Sequence, residues 1–217
     1  MVLHKLFWDD PYMTECDAKV VSIDGTKVKL DRTIFFAFSG GQESDKGTIG
    51  GVVVTSAVKE RNREGIVDIT YELEKEPFFA VGDTVLVSID GGRRERLRRL
   101  HSAAHVVYYF IIAKLGELEV IGSNIASDKA RLDFLYEHPL NPILTEIEKL
   151  VNIFLSKNHK IVSEPDSTKS DLRWWVCNGW RMPCGGTHPR STGEIGNISL
   201  KRKNLGASKE RVEIVLC

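Results

Sequence analysis

Residues 1–90 show an alternation of apolar and polar positions that is typical of short β-strands. Runs rich in β-branched residues recur between turn-forming residues, a pattern that favours a small barrel or closed sheet. Asp24-Gly25 is suited to a tight hairpin turn between two of these runs. We predict strands over Ala18–Ile23, Lys27–Leu30, Val52–Val58, Ile66–Leu73 and Thr84–Ile89.

The pattern changes at Gly91-Gly92, where helical spacing of apolar residues replaces alternation. Leu97–Leu115 is an apolar segment, and Pro142–Lys157 carries an apolar face that begins with a proline. Strand patterns recur between and after these helices, for example over Ala130–Tyr136. We therefore predict an α+β protein, with an N-terminal small β-barrel domain over residues 1–90 and an antiparallel-sheet domain with two long helices over residues 91–217.

The charges of the chain balance, with 30 lysines and arginines against 30 aspartates and glutamates. Neutrality argues against nucleic-acid binding through overall charge, although it leaves room for a local basic patch. No apolar run approaches the roughly 20 residues that span a bilayer, and the N-terminus lacks the pattern of a signal peptide. The four cysteines are widely scattered, unlike those of a disulfide framework. We therefore expect a cytoplasmic protein without membrane association.

His101 and His105 lie four residues apart within the first apolar helix. At helical pitch this spacing places both imidazoles on one face, one turn apart, where they can share a metal ion. Taken alone, the spacing is equally compatible with two packed or surface histidines. It is not the metalloprotease signature, because Ser102 stands where that motif has a glutamate.

Cys184 and His188 repeat this spacing in a glycine-rich stretch that is too flexible for a helix interior. Three imidazoles and one thiolate form a set that Zn²⁺ takes in tetrahedral geometry. We predict one zinc ion per chain, bound by His101, His105, Cys184 and His188. Four protein ligands would close a structural site, whereas a catalytic site would need one ligand to yield or the coordination to expand.

A cluster of arginines directly precedes the histidine pair. A solvated helix face is the simpler interpretation of such a charge run. The alternative is that the arginines contact a phosphate backbone that approaches the metal site. The candidate nucleic-acid-binding residues are Arg93, Arg94, Arg96, Arg98 and Arg99.

Three stretches resemble, in the same order, the editing domain of alanyl-tRNA synthetases. They are the glycine-rich segment from Gly40 to Gly47, the His101–His105 helix, and Cys184-Gly185-Gly186-Thr187-His188 with the Thr192-Gly193-Glu194-Ile195-Gly196 that follows it. Because these motifs extend over nearly the whole chain, it is identified as a member of the free-standing editing proteins of the AlaX type, in the form that has an extra N-terminal barrel.

The resemblance implies a hydrolase that removes wrongly attached serine from tRNA(Ala), with glycine as a second candidate. It also implies zinc on the four ligands named above, and it does not imply an obligate protein partner. Gln42, in the glycine-rich motif, would lie near the active site. Ser123 falls where the family has a Gly-Ser pair, and the resemblance carries it over as a substrate-pocket residue.

The choice between serine and alanine has a physical basis. A pocket that hydrogen-bonds the serine hydroxyl leaves its own polar groups unpaired when alanine enters, and such sites reject the analogue by roughly 10⁴-fold. Thr187, Ser123 and Gln42 are our candidate donors or acceptors in the catalytic pocket. Each has an alternative role as a turn or cap residue.

Two questions stay open from the residues alone. Zinc could activate water or polarise the ester carbonyl, or it could hold the amino group of the substrate while other groups activate water. The chain could also be a non-catalytic tRNA- or RNA-binding module with a structural zinc, or a zinc hydrolase of small molecules. A binding module would retain the ligands and the arginines but would hydrolyse no ester.

Overall fold

A computed structural model of the chain describes residues 3–61, 67–169 and 171–217. Residue contacts divide it into two compact units. The first unit comprises Met1–Ser39, Glu43–Glu95 and Lys169–Asp171, and the second comprises Gly40–Gln42, Arg96–Thr168 and Leu172–Cys217. The α+β class and its antiparallel sheets are confirmed.

The first unit is built mainly from strands. Its elements are β1 (His4–Lys5), α1 (Leu6–Asp9), β2 (Glu15–Asp24), β3 (Lys27–Leu30), β4 (Arg32–Thr33), β5 (Gly47–Ile49), β6 (Val52–Arg61), β7 (Val67–Leu73) and β8 (Thr84–Ile89). Six strands pair in the cyclic order β2-β3-β7-β6-β5-β8, and β8 pairs again with β2. We call this set the six-stranded ring. Strands β1 and β4 form a separate parallel pair.

The apolar core of the first unit follows from the alternation along its strands. In β7 every second residue is buried, so that Val67, Ile69, Tyr71 and Leu73 share one face. The hydroxyl of Tyr71 donates a hydrogen bond to Oγ1 of Thr33 at 2.8 Å, which satisfies a buried polar group. Alternation therefore identified the strands that line this core.

Details of the first unit differ from the predictions by a few residues. Asp24 pairs with Lys27, so the hairpin loop is Gly25-Thr26 and not Asp24-Gly25. Gly25 has a φ of 57°, which a glycine adopts at little cost. The three-residue strand β5 was not predicted. Ile66, the predicted first residue of β7, lies outside the described residues.

Helix α2 (Gly91–Leu115) begins where the strand pattern stops. The Asp90 carboxylate accepts a hydrogen bond from the backbone N–H of Arg93 at 2.9 Å, and the Asp90 carbonyl accepts one from Arg94 at 3.0 Å. Asp90 is thus the N-cap of the helix. Gly91-Gly92 ends the strand pattern as expected, but the two glycines are the first residues of the helix and not a linker.

The second unit packs helices against antiparallel sheets. It contains most of α2 together with β9 (Val120–Ile125), β10 (Ala130–Leu135), α3 (Asn141–Ser156), β11 (Ile161–Pro165), β12 (Arg173–Cys177), β13 (Trp180–Pro183), β14 (Ile198–Gly206) and β15 (Lys209–Leu216). A four-stranded sheet has the order β14-β15-β10-β9, and a three-stranded sheet has the order β11-β12-β13.

The core of the second unit joins the apolar faces of both long helices to the four-stranded sheet. Leu144, Ile147 and Val151 of α3 are buried at helical spacing, as predicted. They belong to one cluster with Phe134 and Ile214 of the sheet and with apolar residues of α2. Burial of each such side chain stabilises the fold by roughly 1.5–3 kcal/mol. None of the helices within the described residues has the length and apolar character needed to cross a membrane.

Candidate metal centre

Helix α2 positions the first two candidate ligands. His101 and His105 lie one turn apart, and their ring centroids are separated by 4.7 Å. Leu97, Leu100 and Val107 bury the neighbouring positions of the helix in the apolar core. The two imidazoles therefore lie on one face of the helix, as the spacing predicted, and packing fixes the helix in place.

A loop after β13 positions the other two candidates. The backbone N–H of Cys184 donates a hydrogen bond to the carbonyl of Arg173 at 2.8 Å, which ties the start of the loop to β12. Beyond His188, a short 3-10 helix (Thr192–Ile195) has a capping box between Ser191 and Glu194. Both ends of the loop are thus held by hydrogen bonds.

The four side chains converge on one point. Sγ of Cys184 lies 3.4 Å from Nε2 of His101 and 3.2 Å from Nε2 of His188. One ligand atom from each of His101, His105, Cys184 and His188 lies within 4.8 Å of the other three. Tetrahedral zinc separates neighbouring nitrogen and sulfur ligands by roughly 3.3–3.8 Å. The group can therefore hold a metal ion of this kind.

Two of the imidazoles are oriented by hydrogen bonds at the nitrogen that faces away from the cluster. Nδ1 of His101 lies 2.8 Å from Oε1 of Gln42, and Nδ1 of His188 lies 2.9 Å from Oγ of Ser102. With both Nδ1 atoms protonated, each Nε2 presents a lone pair to the cluster. Nε1 of Trp175 also donates to Oγ of Ser102, at 3.3 Å.

The third imidazole gives the clearest sign of a missing partner. Nε2 of His105 is buried and has no hydrogen-bond partner among the described residues. A buried polar atom without a partner costs about 1–3 kcal/mol, and proteins rarely tolerate one without a reason. A metal ion shared with the other three residues would satisfy this nitrogen.

Burial sets the charge of the cluster. It lowers the pKa of His101 to about 3 and holds the pKa values of His105 and His188 well below their usual value, with neighbouring imidazoles as a further cause for the latter two. All three rings are therefore neutral at physiological pH. Burial likewise raises the pKa of the Cys184 thiol to about 11. A bound cation would favour the thiolate.

The predicted pocket residues occupy different positions around the cluster. Gln42 and Thr187 are both buried, and they bond to each other twice. Nε2 of Gln42 donates to Oγ1 of Thr187, and the backbone N–H of Thr187 donates to Oε1 of Gln42, each at 3.0 Å. Ser123 is exposed on β9 and lies beside Gly41, where an added Cβ atom would be 2.6 Å from its Oγ.

The five predicted arginines do not form one exposed patch. Arg94 is 1% exposed and pairs with the buried carboxylate of Asp45, while Arg98 is also buried. Arg93 pairs with Glu43 at 2.6 Å, and Nε of Arg99 donates to the carbonyl of Ile195 at 3.0 Å. Arg96 is the exposed member of the group. Arg93, Arg94 and Arg99 thus direct donors to acceptors within the protein and stabilise the fold around α2.

The sequence analysis missed two residues that contact the cluster, Ser102 and Gly186. Ser102 was considered only as a departure from the metalloprotease motif, whereas it supports His188 and Trp175. Gly186 passes so close to His101 that an added Cβ atom would overlap the imidazole and lie 2.8 Å from Oε1 of Gln42. The Gly185-Gly186 pair was a signal for close backbone approach.

A sequence profile places the C-terminal part of the chain in a known group. Residues 176–213 match the family described as the threonyl and alanyl tRNA synthetase second additional domain. This segment contains Cys184, His188 and the 3-10 helix. It covers the half of the candidate metal centre that lies in the loop.

Similar proteins extend the match to almost the entire chain. An alanyl-tRNA editing protein, AlaX-M, of Pyrococcus horikoshii is 36% identical over 98% of this chain and 97% of its own length. A second AlaX-M protein, from Methanosarcina mazei, is 29% identical over 95% of this chain and 94% of its own length. An alanine–tRNA ligase of Methanococcus aeolicus is 30% identical over 96% of this chain, but the match spans only 25% of that ligase.

Proposed function

The chain belongs to the family of alanyl-tRNA editing proteins, and from this premise we propose that it is a trans-editing hydrolase that removes serine from wrongly charged tRNA(Ala). Glycine on the same tRNA is the second substrate that we propose. The observation that carries this proposal is the convergence of His101, His105, Cys184 and His188 in the part of the chain that the relatives share.

We infer that the cation is zinc and that one ion binds per chain. Three neutral imidazoles and a cysteine bind zinc in preference to magnesium or calcium, which are harder ions that favour oxygen ligands. When bound, zinc supplies a Lewis acid that can polarise an ester carbonyl or lower the pKa of a water molecule. The buried Nε2 of His105, which has no hydrogen-bond partner among the described residues, supports a metal ion independently of the types of residue present.

The residues around the ligands would give the site its rigidity. Gln42 holds the His101 ring through Nδ1 and is itself held by Thr187. Ser102 plays the same part for His188. Because such supporting bonds fix the tautomer and the direction of the ring, we propose that Gln42 and Ser102 act as positioning residues.

Serine would be distinguished from alanine by its hydroxyl. Thr187 lies next to the ligand His188 and accepts a hydrogen bond at Oγ1, and its hydroxyl proton can serve as a donor. We propose Thr187 as the residue that pairs with the hydroxyl of the seryl group, with Ser123 at the outer end of the pocket. An alanyl group would leave this polar surface unpaired.

We also infer a division of the chain that follows the two patterns in the sequence. Residues 1–90 would form an N-terminal barrel domain, and residues 91–217 would form the editing domain. The cyclic pairing of the six-stranded ring supports the barrel. The presence of all four candidate ligands after residue 91 supports the assignment of the chemistry to the second domain.

Deacylation of Ser-tRNA(Ala) and of Ala-tRNA(Ala) tests the proposed function. We expect zinc-loaded protein to hydrolyse the first and to spare the second, by a factor on the order of 10⁴. His105→Ala should abolish hydrolysis while the protein stays folded, and His138→Ala, at an exposed histidine, should leave it unchanged. A zinc-loaded wild-type protein that hydrolyses neither ester would contradict the proposal and leave a tRNA-binding module.

A further inference from the structure

The four-stranded sheet has one apolar face and one strongly basic face. Paired positions such as Leu132 and Val212 point toward the helices, and the residues next to them in each strand point away. We call the outward side the basic sheet face. With the turn before β10, its cations are Lys129, Arg131, Lys201, Lys203, Lys209 and Arg211.

The carboxylates on this face do not balance its cations. Within the four strands, the acidic residues that point outward are Asp133 and Glu213. The Asp133 carboxylate accepts hydrogen bonds from Arg131 and from Arg211, the latter at 2.7 and 2.9 Å. Glu213 pairs with Lys129 at 2.7 Å. Within the four strands, two outward carboxylates therefore face five outward cations, so the face carries a net positive charge although the whole chain is neutral.

The surrounding cations also affect the titration of the outward carboxylate. A hydrogen bond from Lys129, followed by the charges of Lys203 and Arg211, holds the pKa of Glu213 below its usual value. This direction is the one expected where positive charge exceeds negative charge. Glu213 consequently stays ionised and does not add a neutral acceptor to the face.

Protection of a sheet edge explains only part of this pattern. Strand β14 is an edge strand, and lysines such as Lys201 and Lys203 discourage pairing with another chain. Arg131 and Arg211 lie on the interior strands β10 and β15, where no edge needs protection. A solvated face without a ligand would normally carry the two signs of charge in more even numbers. The excess of cations across three neighbouring strands therefore calls for another explanation.

We propose that the basic sheet face binds the phosphate backbone of the tRNA whose ester is hydrolysed at the metal cluster. Asp133 fixes the guanidinium groups of Arg131 and Arg211 in place, and the N–H groups that do not bond to Asp133 can donate to phosphate. Lys201 and Lys203 are exposed and extend the charge toward the sheet edge. This inference rests on the proposed function, since it takes the nucleic acid from there.

The same sheet is joined to the metal cluster at its other edge. The backbone N–H of Ile125 in β9 donates to the carbonyl of Gly41 at 2.7 Å, and the next residue, Gln42, contacts His101. The basic sheet face and the cluster thus belong to one compact unit. A tRNA held on this unit would have its phosphates and its ester bound by parts of one compact unit.

Salt-dependent binding of an uncharged tRNA(Ala) transcript tests the proposal. The double variant K201Q/K203Q removes two cations of the basic sheet face, and K149Q/K157Q removes two exposed lysines of the α3 region as a matched control. We expect the slope of log K against log salt to become shallower by roughly two for the first variant, with affinity about ten-fold or more weaker near 0.1 M salt. The control should match the wild type.

Equal slopes for the two double variants would overturn the proposal, as would a loss of affinity that does not depend on salt. Thermal melting of both variants establishes that the fold is retained. Deacylation of Ser-tRNA(Ala) by the wild-type protein is measured in parallel. If the wild type hydrolyses the ester but the slopes are equal, the proposal that the basic sheet face binds tRNA is wrong and the proposed function stands. If the wild type does not hydrolyse the ester, the proposed function itself is contradicted.

Discussion

Each imidazole of the cluster has a different environment. His101 is held by the amide of Gln42, His188 is held by the hydroxyl of Ser102, and Nε2 of His105 has no partner among the described residues. The two supported rings face Cys184, with their Nε2 atoms 3.2 and 3.4 Å from its sulfur. The orientation of His101 and His188 therefore depends on neutral hydrogen bonds and not on a carboxylate.

Ser102→Ala should weaken zinc binding by roughly 10–100-fold, because His188 loses the acceptor that fixes its tautomer. Competition with a chromophoric chelator measures this affinity directly. Ser156→Ala is a matched control, since its hydroxyl bonds only to the carbonyl of Ile153 at the exposed end of α3. Zinc affinity equal to that of the wild type would show that Ser102 does not position the ligand.

Gly186→Ala should reduce zinc affinity at least about ten-fold, because a Cβ atom at this position overlaps the His101 ring. Gly92→Ala serves as the control, since its nearest neighbour would be Oδ1 of Asp90 at 3.5 Å, an ordinary contact. The visible absorption of cobalt-substituted protein reports the ligand geometry. An unchanged cobalt spectrum for Gly186→Ala would contradict this account of the glycine.

At the residue scale, the sequence predicted the candidate ligands but not their supports. The two four-residue spacings are local and can be read from the chain. The hydrogen bonds of Ser102 and Gln42 depend on contacts between residues that are 86 and 59 positions apart. Only the three-dimensional fold brings such partners together.

At the scale of elements, helix α2 performs two tasks along its length. Its first turns carry arginines that bond to the protein, and its middle carries the candidate ligands. Arg94 pairs with Asp45 and also donates to the carbonyl of Ile34 at 2.6 Å. Arg94 is therefore a structural anchor for the helix.

Arg94→Ala should lower the free energy of unfolding by about 3–5 kcal/mol, because it leaves the Asp45 carboxylate buried without its partner. Arg96→Ala removes the same type of side chain from an exposed position and should cost less than about 1 kcal/mol. Urea denaturation of metal-free protein measures both. Similar losses for the two variants would contradict the structural role of Arg94.

Strands with regular alternation were predictable, and those without it were not. Thr84–Ile89 was predicted with the bounds that the structure shows. Gly47–Ile49 has only three residues and no alternation, so no pattern could reveal it. The β12–β13 hairpin was also missed, although Asn178-Gly179 is a strong hairpin signal.

For the whole molecule, zero net charge conceals an uneven distribution. The arginines that are adjacent in sequence are mostly buried or paired, whereas the cations of the basic sheet face come from separate strands. A count along the chain finds the first group and overlooks the second. Charge patches built by a sheet need the strand register before they can be recognised.

We propose that the cluster of His101, His105, Cys184 and His188 is a zinc centre that hydrolyses the ester of wrongly charged tRNA. Titration of zinc into metal-free protein, with the initial rate of Ser-tRNA(Ala) deacylation measured at each addition, tests this most directly. We predict a rate that rises from background in proportion to zinc and reaches a plateau at one ion per chain. A full rate in the metal-free protein, or a filled site that gives no hydrolysis, would contradict the account.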